Sequence, residues 1–163
     1  MMQIEHEVRR AAELWNDGKT LEAGRILFET IPPDARPGWA STILRLAIAK
    51  SGMTCSPVEE IADIAEHPEE WGRAHQVFNV LREATLDLEA KRRKGLTKQE
   101  NLLAKLLLIA ELVAKVTYNT TDPPDEFDED SGWWIAVTLR DFLNYLGDES
   151  FSRETWLALS TCP

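Results

Sequence analysis

An all-α fold is predicted by three features of this 163-residue chain. Apolar residues recur at helical spacing almost throughout, and strand alternation is nearly absent. Helix-ending glycines and prolines fall between the apolar stripes, and two Ser/Thr-x-x-Glu signatures mark helix starts. We expect a bundle, orthogonal in packing, or a short solenoid-like stack, of about eight helices. They form a single domain over 1–163, since a chain of this size buries roughly 70% of its unfolded surface.

The first stripe comprises Ile4, Val8, Ala11, Ala12 and Trp15, and Asn16-Asp17-Gly18 ends it. Ala23, Ile26, Leu27 and Thr30 form the second, stopped by Pro32-Pro33. Trp39, Ile43, Leu46 and Ala47 make the third; Leu44 and Ile48 widen it, which predicts a central helix closed by Gly52. Ser56-Pro57-Val58-Glu59 reads as a capping box with proline at the first helical position. Pro68-Glu69-Glu70 opens a long helix through Val77, Phe78, Leu81, Ala84 and Leu88, ending in Lys91-Arg92-Arg93-Lys94-Gly95. Thr97-Lys98-Gln99-Glu100 repeats the box and starts a helix to about Asn119. These last two helices should form an antiparallel hairpin at the centre of the fold. An acidic surface loop follows at about 120–132, where prolines and adjacent like charges oppose regular structure. Helix resumes at Trp133-Trp134 with Ile135, Leu139, Phe142 and Leu146 inward, and Gly147 ends it. A short last helix is expected from about Ser152, carrying Trp156 and Leu157.

The first hairpin resembles a single tetratricopeptide repeat: Ala11 and Leu14 on one helix, Gly18 at the turn, then Ala23, Leu27 and Thr30 at the family's small–large–small spacing. The stretch after Trp39 does not repeat it, and repeat arrays need about three units to bury their faces. The resemblance implies a scaffold that binds peptides or proteins.

Composition narrows the function classes. A formal charge of -10 opposes nucleic-acid binding, which rests on Lys and Arg displacing counterions. The most apolar stretch, Leu102 to Val116, contains Lys105, Glu111 and Lys115, so it reads as a buried helix and not a membrane span. With no secretory signal in the charged start, cytoplasmic residence is expected. The two cysteines, Cys55 and Cys162, are expected as free thiols, although their spacing does not decide whether they meet.

Motifs for chemistry are sparse. Glu59-Glu60-x-x-Asp63 followed by Glu83-x-x-x-Asp87 resembles the acidic signature of the all-α nucleotide pyrophosphohydrolases, a resemblance that implies Mg²⁺ held between neighbouring helices. If the chain turns near His67-Pro68, however, the two clusters lie roughly 18 Å out of register, too far for one ion. His6-Glu7-x-x-Arg10 places a cation where a zinc ligand is required. His75, Asn79 and Glu83 share one helix face, as ordinary polar surfaces do. The chain carries no Gly-x-Ser-x-Gly, Walker A or Gly-x-Gly-x-x-Gly motif. In the acidic loop, an EF-hand register with Gly132 at its sixth position puts Phe127 where a carboxylate must stand. We therefore assign no catalytic, cofactor or metal residues and expect no cofactor.

Six tryptophans remain to be placed. Tryptophan is over-represented where proteins meet, and adjacent helical residues point about 100° apart. One of Trp133 and Trp134 can thus face the core while the other looks outward. The expected contact surface is Trp133 and Trp134 with Phe127, Asp128 and Asp130 of the acidic loop. The expected function is a non-enzymatic interaction or adaptor module, of the immunity or chaperone-partner kind, whose partner is another protein or a second copy of itself. The metal-dependent nucleotide hydrolase is the alternative.

Overall fold

The computed structural model describes residues 2–123 and 131–147. They form seven α-helices: α1 Met2–Asn16, α2 Thr20–Thr30, α3 Arg36–Ser51, α4 Ser56–Glu66, α5 Ala74–Lys91, α6 Lys98–Thr121 and α7 Ile135–Leu146. Short 3-10 turns occupy Pro33–Ala35, Pro68–Arg73, Arg92–Lys94 and Ser131–Trp134. No strand occurs among the described residues. The expected helix after Ser152, and most of the acidic loop with Phe127, Asp128 and Asp130, lie outside them.

The helix ends follow local chemistry. Gly52 and Gly147 close α3 and α7 in the left-handed conformation, at φ 66° and 72°, where a Cβ would be strained. Thr97 and Glu100 form the expected reciprocal capping box: each side chain bonds the other's backbone N–H, at 3.1 and 3.2 Å. The box expected at Ser56 does not form. Cys55 is the N-cap and Ser56 the first helical residue, without a side-chain cap. The Glu59 carboxylate instead accepts from the Thr54 hydroxyl at 2.9 Å and faces Arg45 at 3.5 Å. An arginine attracts an ionised carboxylate more strongly than a neutral amide does.

Pro68 starts a 3-10 turn, and α5 begins only at Ala74. Trp71 turns its indole N–H back to the Ala65 carbonyl at 3.1 Å, holding this link tight against α4. At its far end α6 runs two residues beyond Asn119. The hydroxyls of Thr120 and Thr121 return to the Val116 and Tyr118 carbonyls one turn back, so neither side chain seeks a partner beyond the helix.

The α5–α6 hairpin is present and antiparallel: Lys91 pairs with Glu100, Arg82 with Glu111, and His75 stacks on Tyr118. Its position departs from expectation, because of the two helices only α6 is central. It packs on α3, α4, α5 and α7, whereas α5 flanks it and also meets α4. Composition explains the difference. On α6, Leu106, Leu107, Ile109, Ala110, Val113 and Ala114 make a wide buried face. On α5 the buried positions Ala74, Val77, Leu81, Thr85 and Leu88 keep to one stripe. The other central helix is α3, as its widened stripe predicts; Trp39, Ile43, Leu44 and Ala47 are inaccessible.

The helices do not stack in simple sequence. α7 returns to pack on α2, α3 and α6, with the Ser131–Trp134 turn against α2, which closes the assembly as a bundle. Arg140 of α7 ties the return by donating to the Thr20 hydroxyl at 2.8 Å. No described helix is long and apolar enough to cross a membrane.

Candidate docking groove

Arginines engage the acids of α4. From α3, Arg45 bonds Glu66 through Nε and Asp63 at 2.7 Å, with Glu59 at 3.5 Å. Ser41 also donates to Glu66, at 2.8 Å. The Arg45 guanidinium holds the Glu66 carboxyl below the usual glutamate value. Arg73 spans Glu60 and Glu70, both at 2.7 Å. Thus Glu59, Glu60 and Asp63 face guanidinium groups. Glu83 and Asp87 stand exposed on α5. Among the described residues, no three His, Cys, Asp or Glu side chains gather so as to hold a metal ion. No local motif announces Arg45 or Arg73, because they stand 13 to 21 positions from most of the acids they meet.

His75 packs in an aromatic group, its ring 5.1 Å from Tyr118 and 6.4 Å from Phe78. Cys55 is a half-buried free thiol, and Cys162 lies outside the described residues. Trp133 is half-buried, with the Arg25 guanidinium 4.5 Å over its ring. Trp134 is 40% exposed.

Trp134 forms part of a groove of about 400 Å³ on the outer face of α6. The floor is Leu108, Glu111, Leu112 and Lys115, spaced so that they share one side of that helix. Phe78 and Arg82 of α5 form one wall, Trp134 and Thr138 the other. The α7 wall runs antiparallel to the floor: beyond Thr138, Asp141 takes Lys105 at 2.6 Å, and Lys105 lies 5.3 Å from the Tyr145 ring. The α5–α6 register sets Leu86, one turn beyond Arg82, alongside Leu108. Leu86 is 49% exposed and Leu108 44%.

Glu111 is the buried acid of this site, only 5% exposed. It accepts from the Thr85 hydroxyl at 3.3 Å and faces Arg82 at 3.5 Å. Burial pushes its carboxyl above the ordinary glutamate value, more than these partners pull it down. An acid with a raised folded pKa binds its proton more tightly folded than unfolded. Its contribution to stability is therefore present at low pH and lost as pH rises past 4.5, the unperturbed value. Glu111→Gln should flatten that decline. Urea unfolding of both proteins from pH 4 to pH 8 checks this; parallel curves would refute it. The sequence carried a trace of the site, since Glu111 falls on a stripe with Leu107 and Ala114, both buried.

Comparison of the chain with protein-family models, with curated proteins and with solved structures gives no match. The likeness of the α1–α2 hairpin to a tetratricopeptide repeat therefore rests on its own residues.

Proposed function

We propose that this chain is a non-enzymatic protein-interaction module and that the groove over α6 is its contact surface. The observation that carries the reading is the clustering of exposed apolar residues. Among the described residues four large hydrophobics are exposed: Val80, Leu86, Leu108 and Trp134. Leu108 and Trp134 line the groove, and the α5–α6 register puts Leu86 at the level of Leu108. Apolar groups on a surface are individually ordinary, but their gathering in one concave place is what an anchor side chain needs. The lining holds no histidine, cysteine or serine, and its one acid is engaged by Arg82 and Thr85.

A neutral amphipathic helical peptide, with leucines at i, i+3, i+4 and i+7, tests the reading through amide and indole shift perturbations. The shifts should concentrate at Leu108, Leu112 and the Trp134 indole. Leu108→Asp should weaken binding about tenfold, the worth of one leucine contact. Val80→Asp, outside the groove on α5, should leave it unchanged. Absence of binding at millimolar peptide, or equal effects of the two variants, would retire the proposal.

A further inference from the structure

We infer that the partner segment this groove accepts is an acidic amphipathic α-helix of another protein. The inference rests on the docking role proposed above and adds the chemistry of the occupant.

A helix is required by the backbone. The groove is bounded by α5, α6 and α7, and the described residues offer no strand edge. An extended segment laid there would find no ladder to satisfy its N–H and C=O groups. A helix satisfies them internally and presents side chains at i, i+3 and i+4 to a hollow between helices. From Leu108 to Lys115 the floor extends roughly 10 Å, about two turns of such a helix.

Acidity follows from the charges at the rim. On a chain of net charge -10, the groove reverses the local sign. Its lining carries two cations, Arg82 and Lys115, and one acid, Glu111. The acid is sunk in the floor, whereas the Arg82 side chain is 50% exposed and approaches Glu111 through Nη1 at 3.5 Å. Lys115 lies 5.4 Å from the Phe78 ring centre; its charge is felt by Glu111 one turn back, without an ion pair closer than 4 Å among the described residues. At the α6 N-terminal end, Lys105 is already taken by Asp141. An approaching segment thus meets Leu108 and Leu112 flanked by the Lys115 ammonium and the exposed part of the Arg82 guanidinium. Aspartates or glutamates flanking apolar anchors would complete both. A basic segment would meet like charge at the rim and find the only acid occupied.

Three helical peptides with one apolar face and Glu, Gln or Lys flanks test the assignment against the full-length protein, by fluorescence anisotropy at low and physiological salt. The Glu peptide should bind about tenfold more tightly than the Lys peptide at low salt, and the gap should shrink as salt screens the rim. Lys115→Glu should abolish or reverse the preference of the Glu peptide over the Lys peptide. Equal binding of the Glu and Lys peptides, or tighter binding of the Lys peptide, overturns the acidic partner but leaves the docking role standing. Failure of all three peptides overturns the docking role itself. Two further results overturn the assignment to another protein: tighter binding by a peptide of this chain's own residues 148–163, and self-association in sedimentation that Leu108→Asp abolishes.

Discussion

Trp39→Ala should lower the unfolding free energy by about 3–5 kcal/mol and the melting temperature by roughly 10 °C. Trp39 is wholly inaccessible and packs its ring 6.0 Å from Phe28, tilted by 56°. Phe28 is in turn capped by the Arg36 guanidinium, 4.3 Å over its ring. Truncation would remove the largest fully buried side chain of α3 and leave Phe28 without its aromatic neighbour. Because α3 is packed on α4, α6 and α7, the space can close only in part, which puts the change at the costly end for core truncations. Urea unfolding monitored by circular dichroism gives the number; Trp39→Phe should cost less than half as much. A loss below about 1 kcal/mol would mean that the core collapses around the gap.

Gly132→Ala should destabilise the fold by about 1–3 kcal/mol through overpacking, although only one methyl group is added. A Cβ at this position would run into the edge of the Phe28 ring. Phe28 is 2% exposed and held between Trp39 and Arg36, so it cannot swing aside. The Ser131–Trp134 turn must then lift from α2, and with it the Trp134 wall of the groove. A companion contact makes the same seat tight: a Cβ on Gly24 would come within 2.8 Å of the Trp133 carbonyl oxygen. The double variant Phe28→Leu with Gly132→Ala should recover part of the loss, because the smaller side chain vacates the space the methyl needs. Strictly additive effects in that cycle would place the strain elsewhere. The same variants connect fold to function, since Gly132→Ala should weaken peptide binding although residue 132 lies outside the groove lining.

Much of the architecture could be read from neighbours along the chain. The Trp39–Ile48 stripe announced a central helix, Gly52 and Gly147 announced ends, and Thr97-x-x-Glu100 announced a start with its reciprocal bonds. The misreadings came where a distant group entered a local competition. At Ser56 the expected cap lost its glutamate to Arg45, fourteen positions upstream on another helix. At Pro68 the Trp71 indole reached back to α4, and α5 starts six residues later than expected. The site was less legible than the fold. Glu111 looked like one of three charges interrupting an apolar run, yet the structure buries it and engages it with Arg82 and Thr85.

The order and type of the helices were therefore set by the amino-acid sequence alone. An α-helix closes its hydrogen bonds within four residues, and the periodicity that selects it is written in contiguous chain. The groove was decided by tertiary structure. It exists because α5 and α7 pack on opposite flanks of α6 at one particular register, bringing Arg82 and Trp134 to the Leu108 face. Periodicity specifies that a helix has an apolar side; it leaves open which helix covers that side and where the covering stops.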